Sequence, residues 1–185
     1  GLRDDCRIVG AYEECTQARR KAAGLAPRQF ETWHALLCDA AVDVVLLATP
    51  PSTHARLAVE ALAAGKHVIC EKPLAMSAVE SRELVALAAA TGLVNAANFN
   101  IRYYPLNQHA HGMMKAGELG DLRLITGHFH QDWLAKETDW NWRLEAAEGG
   151  PLRSVSDIGT HWVDLTNFVT GQKPVSVMAD LATFI

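Results

Sequence analysis

What this sequence lacks narrows its function first. No apolar run approaches the ~20 residues that a helix needs to cross a bilayer, so neither a membrane span nor a membrane partner is expected. The opening residues, Gly1 to Cys6, are polar and carry no apolar stretch of the kind found in a secretion signal. The four cysteines, Cys6, Cys15, Cys38 and Cys70, are irregularly spaced and form no Cys-x-x-Cys pair. Neither a zinc site nor a disulfide framework is expected, and a reducing cytoplasm is the expected compartment. No His-Glu-x-x-His signature occurs. His109 with His111, and His128 with His130, therefore read as ordinary polar positions, and no metal is expected. Lysine and arginine are not clustered and the net charge is -4, which argues against a nucleic-acid partner. No Gly-x-Gly-x-x-Gly turn, the usual cradle for a pyrophosphate, is found anywhere.

What is present describes a globular chain with a core to bury: 49% of residues are hydrophobic and 21% charged. The length of 185 residues allows one domain or two small ones. The organising stretch is Lys66 to Met76. An apolar strand, His67 to Cys70, runs into Glu71-Lys72-Pro73. Pro73 has no N–H for a central ladder and pushes Lys72 into extended or turn geometry. Glu71 and Lys72 are expected at a forced stop facing a crevice, since open α/β sheets bind ligands at the carboxyl ends of their strands. An exposed charged turn is the alternative.

Strand and helix alternate through the first half. Arg7 to Tyr12 reads as a strand, Gln17 to Ala23 as a helix closed by Gly24, and Pro27 to Phe30 as a short strand. Thr32 caps a helix through Cys38. Val42 to Ala48 is apolar on both faces, as in a central parallel strand. Ser52 or Thr53 caps a helix to Ala64, with Gly65 ending it. Ser77 caps another to Ala90, Gly92 ends it, and Leu93 to Asn98 is a strand. Such alternation implies βαβ units in a doubly wound parallel sheet. Beyond Asn100 the pattern changes. Pro105 to Ala116 and Asp157 to Val169 read as helices, Leu122 to Gln131 and Val175 to Phe184 as long strands. Between them lies a loop rich in tryptophan, Asp132 to Pro151, either a stacking platform for a sugar or a hydrophobic clasp. The second half is thus expected to be α+β on an antiparallel sheet.

Three constellations carry chemistry. Thr49-Pro50-Pro51-Ser52-Thr53-His54 leaves a strand and enters a helix, a stiff turn on which a ribose or nicotinamide can pack. The alternative is a plain connecting loop. Glu13 follows a strand; in a dinucleotide fold an acid there accepts from the ribose hydroxyls and repels a 2′-phosphate, favouring NAD over NADP. It reads equally as a solvated first-turn carboxylate, and Glu14 can share its role. Asp157 and His161 stand at i and i+4 on one helix face. An imidazole there is a candidate general base, and Asp157 can orient it or bind a hydroxyl. Asp164 can compete for that role, and a simple surface pair is the bland reading.

These segments together resemble the Gfo/Idh/MocA family, the relatives of glucose-fructose oxidoreductase and inositol dehydrogenase. Ala48-Thr-Pro-Pro-Ser-Thr-His54, Gly65-Lys-His-Val-Ile-Cys-Glu-Lys-Pro-Leu-Ala75 and Asp157-Ile-Gly-Thr-His-Trp-Val-Asp164 carry the likeness in order. Gly117-Glu-Leu-Gly120 adds minor support. The resemblance implies an incomplete Rossmann-type sheet over residues 1–98 and an α+β domain with an open, mainly antiparallel sheet over 99–185. Without the glycine-rich turn, the chain is expected to be a fragment truncated at both ends, with Gly1 to Cys6 the tail of a helix. A smaller α/β domain that never had the turn is the alternative.

The same resemblance implies oxidation or reduction of a ring hydroxyl of a sugar or cyclitol with NAD or NADP. It implies Lys72, Asp157 and His161 as catalytic residues, with His161 the proton acceptor. Thr49, Pro50, Pro51, His54, Glu71, Lys72, Pro73 and Arg102 join Glu13 as expected cofactor contacts. A cis bond before Pro73 and a homodimer or homotetramer are also implied. The stretch Gly149-Gly150-Pro151 to Asp157 departs from the commoner spacing. A regulatory NAD(P)-binding relative and an NAD-dependent glycosidase-like relative remain alternatives.

Overall fold

The computed structural model describes residues 5–22, 24 and 26–182. Expectations that fall on residues 1–4, Ala23, Phe184 and the rest of 183–185 lie outside the described residues. Three parallel strands form one sheet in the order β1 (Val44–Leu47), β2 (His67–Cys70), β3 (Asn95–Ala97). Val44 pairs with His67, and Val68 pairs with Asn95. The crossovers are α3 (Pro51–Ala63) and α4 (Ala78–Thr91), preceded by α1 (Thr16–Ala22) and α2 (Trp33–Leu37).

Local chemistry explains the crossover boundaries. Pro51 occupies the first turn of α3, where its missing N–H costs nothing, so no Ser52 or Thr53 cap forms there. Gly65, at φ +74°, takes the left-handed position just beyond its end. For α4, Ser77 accepts from the Glu80 amide at 3.2 Å while its hydroxyl donates to the Glu80 carboxylate. Thr32 likewise accepts from Ala35 N–H at the start of α2.

The core lies on one face of the sheet. Val45, Leu47, Val68 and Cys70 point inward against Leu57, Ala58, Ala61 and Leu62 of α3, and Leu84 and Ala88 of α4. Leu36, Leu37 and Phe30 close the near end. Val44 and Leu46 on the opposite face are 48% and 61% exposed. The expectation of a strand covered on both faces is corrected: consecutive right-handed crossovers through adjacent strands put α3 and α4 side by side, on the same face.

Two further expectations are corrected. Arg7 to Tyr12 and Pro27 to Phe30 form a single parallel bridge, Ala11 to Gln29, rather than full strands. Among the described residues no antiparallel ladder exists, and Leu122–Gln131 and Val175–Ala182 run without strand partners. Alternation alone cannot make a strand, because each backbone needs a neighbour, and a lone pair of strands is marginal in water. The regular secondary structure of this half is helical: α5 (Pro105–Lys115) packs on α7 (Thr160–Thr170), with His111 stacked on Phe168 at 4.5 Å. The short α6 (Ala146–Gly149) meets the start of α3, where Ser52 donates to Glu148 at 2.5 Å.

Candidate active site

Chain geometry at the end of β2 decides where the first polar groups stand. The Glu71 N–H donates to Leu47 O at 2.9 Å, continuing the ladder one residue past Cys70. Pro73 ends it, and the Lys72–Pro73 bond is cis, as the family resemblance implied. A cavity of about 780 Å³ opens at the carboxyl ends of β1 and β2. Thr49, Pro51, Glu71, Lys72 and Pro73 line one side, while Asp157, Arg143 and Trp133, Trp140 and Trp142 line the other.

The two sides are joined by charge. Lys72 Nζ donates to Asp157 Oδ1 at 2.5 Å and to its backbone carbonyl at 2.7 Å. Both side chains are largely withdrawn from water, at 12% and 20% exposure. Asp157 Oδ2 faces Arg143 Nε at 3.5 Å, so one carboxylate stands between two cations. Asp157 lies in a wide, π-helical turn, Val155–Gly159, which feeds directly into α7. Such turns are frequent at functional sites. Arg153, just before it, is held at φ +47°, a conformation uncommon for residues other than glycine.

His161 follows one turn after Asp157, in the first turn of α7. Its ring lies edge-on to Phe99 at 5.9 Å and parallel to Phe129 at 6.3 Å. Burial, and then the Lys72 charge, lower its pKa below the usual histidine value, against the opposing pull of Asp157. The imidazole is therefore neutral near pH 7. Its Nδ1 is buried and has no hydrogen-bond partner among the described residues. His161 does not itself line the 780 Å³ cavity.

The remaining expected residues divide. Arg102 does not enter the cavity; its Nε donates to Asp164 at 2.6 Å, with a second, shorter bond through its other nitrogen. That pairing engages Asp164, the rival to Asp157. Glu13 also lies away from the cavity, and its Oε1 accepts from the Cys15 N–H at 2.8 Å near the start of α1. Pro50 precedes α3 without lining the cavity. His54 is fully buried, so it offers no surface to a cofactor.

Two site residues escaped the sequence reading. Asn98 donates to the Glu71 carboxylate at 2.6 Å, and its position at the end of the third parallel strand was the available signal. Arg143 packs over Trp142 at 4.3 Å and Trp133 at 5.8 Å, while its N–H groups bond Asn141. No pattern in the irregular loop singled it out. The guanidinium between indoles makes the tryptophan cluster a clasp, yet Trp140, 69% exposed, keeps one ring open to solvent.

A parallel sheet with βαβ crossovers and a cleft at the strand ends defines the open α/β class, whose ligands bind at the carboxyl ends of the strands. Comparison with known proteins narrows it. Residues 2–99 match the family described as "Oxidoreductase family, NAD-binding Rossmann fold". Residues 107–185 match the GFO/IDH/MocA C-terminal domain. The chain belongs to the GFO/IDH/MocA family. Among curated relatives, levoglucosan dehydrogenase of Pseudarthrobacter phenanthrenivorans is 32% identical over 176 residues, covering 91% of this chain and 45% of that protein. Trans-1,2-dihydrobenzene-1,2-diol dehydrogenase of Mus musculus is 33% identical over 156 residues, covering 83% and 44%. An oxidoreductase domain protein from Kribbella flavida superposes with a TM-score of 0.84 at 35% identity, over 90% of this chain and 46% of that one. A levoglucosan dehydrogenase complexed with NADH and levoglucosan gives 0.81 at 29%, over 89% and 45%. The chain thus spans about half the length of the relatives it matches.

Proposed function

We propose that the whole protein is an NAD(P)-dependent dehydrogenase that oxidises a ring hydroxyl of a sugar or cyclitol. The observation that carries this reading is the Lys72–Asp157 pair, which unites the two halves of the chain at the mouth of the strand-end cavity. The relatives named above, with their NADH-bound structure, support the same chemistry. We divide the chain into a dinucleotide-binding part, 1–98, and a substrate and assembly part, 99–185. NAD is favoured over NADP, and a cytoplasmic homodimer or homotetramer is the proposed form.

The donor set fits the nicotinamide end of a dinucleotide. Thr49, Pro51, Glu71 and Lys72 offer a hydroxyl, an apolar face, a carboxylate and an ammonium on one wall. When bound, the nicotinamide supplies the ring that accepts a hydride. The substrate's hydroxyl proton is assigned to His161, one helical turn beyond Asp157 though outside the cavity lining; burial and the Lys72 charge favour its neutral form. General-base assistance of this kind is typically worth about 10²–10⁴-fold in rate. Lys72 stabilises negative charge growing on the substrate oxygen, and Asp157 holds that ammonium in place.

The test is net NADH or NADPH formation by the full-length protein with a panel of polyols and sugars. Lys72→Ala and His161→Ala are expected to abolish turnover while leaving the fold intact. Wild-type rates in both variants remove the catalytic assignment. Glycoside cleavage without net reduction points to the NAD-dependent glycosidase-like reading, and dinucleotide binding without turnover to a regulatory one.

A further inference from the structure

We infer that His54 is a positioning residue, which ties the Thr49 turn to the Lys72–Pro73 turn and so sets where the Lys72 ammonium stands. This rests on reading the cavity as a dehydrogenase site. His54 sits near the start of α3 with no solvent exposure. Its Nδ1 lies 2.8 Å from the Pro73 carbonyl and its Nε2 2.8 Å from the Thr49 carbonyl. Those two oxygens belong to the two loops that form one wall of the cavity.

Burying an imidazole is costly unless its polar atoms are bonded, and a leucine or phenylalanine would fill the same space more cheaply. A mere filler at this place has no need of nitrogen. Both carbonyls lie beyond the last paired residues of their strands, Leu47 and Cys70, where no ladder neighbour satisfies them. A carbonyl only accepts, so the ring serves both oxygens when each nitrogen carries a proton and one of them when a single nitrogen does. The consequence falls on Lys72. Upstream, Glu71 is fixed by its bond to Leu47; downstream, Pro73 is fixed by His54. Lys72 is the one residue between these two anchors, and its ammonium meets Asp157 from there.

The variants separate the two ties. His54→Phe keeps a ring of similar size and removes both ring nitrogens. An asparagine amide nitrogen falls near the position of Nδ1, so His54→Asn retains the bond to Pro73. A glutamine amide nitrogen falls near Nε2, so His54→Gln retains only the bond to Thr49. In the full-length protein two quantities are read: kcat with KM, and the rate at which an N-hydroxysuccinimide acetate reagent acylates Lys72, located by peptide mass. His54→Phe is expected to lower kcat about 10–100-fold, the scale of a misplacement near 1 Å, with a smaller change in KM. Lys72 acylation rises with it. His54→Asn restores both quantities towards wild type, and His54→Gln restores them less.

Wild-type kcat and acylation in His54→Phe overturn the inference, as do equal values for the asparagine and glutamine variants. If His54→Phe does not fold, that asparagine–glutamine contrast decides alone. If the wild-type protein turns over no substrate, the functional reading fails, and the acylation contrast still decides the role of His54.

Discussion

Lys72 and Asp157 stand 85 residues apart in the chain and 2.5 Å apart in space. The contact joins the end of a parallel strand to the wide turn that opens α7. Each charge is withdrawn from water, so each depends on the other. Replacing Asp157 by alanine leaves the ammonium with one carbonyl and leaves Arg143 unpaired at its Nε. The expected loss of stability is about 1–3 kcal/mol, read as a lower urea midpoint at unchanged slope. Turnover in the full-length protein should fall with it, and Asp157→Asn should recover more stability than activity.

His161 predicts a pH dependence with a definite sign. Burial and Lys72 push its pKa below the ordinary value of 6.5. The base is therefore more free than protonated at pH 6.5, and the acid limb of kcat/KM should have its midpoint below that point. Folding stability follows the same direction: the unfolded chain binds the proton more readily. The contribution is complete above pH 6.5 and declines as pH falls towards the folded pKa. Titrating the His161 ring protons by NMR checks the first statement. In Lys72→Met, where the repelling charge is gone, the midpoint should rise.

Cysteine reactivity separates core from surface. Cys6, Cys15 and Cys38 are exposed, while Cys70 is 1% exposed at the end of β2. Burial, and then the neighbouring Glu71 charge, push the Cys70 thiol up to about 12. Since the thiolate is the reactive form, Cys70 should resist a thiol reagent at pH 8 until the protein unfolds. Mass mapping of the labelled native protein should find the three exposed cysteines modified and Cys70 free.

Gly10 tests packing at the near end of the core. A Cβ there would stand 2.8 Å from the Arg28 carbonyl and 2.8 Å from a ring carbon of Phe30. Phe30 is 2% exposed and has little room to retreat. Gly10→Ala is expected to destabilise by about 1–3 kcal/mol through overpacking. Thermal unfolding beside Gly24→Ala, where nothing among the described residues apart from the chain neighbours lies within 4 Å of the new carbon, supplies the control.

Much of the first half was legible because its signals are local. Ser77 with Glu80 announced the start of α4, Gly92 its end, and Pro73 the stop of β2. The β-branched run around Val44 could only be a strand, and a strand followed by Glu71-Lys72 could only present them at its end. The second half resisted because strand pairing is not local. Leu122 to Gln131 alternates as a strand should, yet no described segment pairs with it to complete the ladder. The π-helical turn at Asp157 left no trace in an i, i+4 pattern that looks like ordinary helix.

Residue order alone established the βαβ rhythm, the two-part family likeness and the polar side chains at the close of β2, since periodicity, capping and proline act within a few residues. Packing alone decided which groups meet. It drew His54 away from any ligand and into the wall, gave Arg102 to Asp164, and brought Arg143 from an unpatterned loop to Asp157. Burial and charge pairing act through space between segments far apart in the chain, and no window of sequence contains both partners.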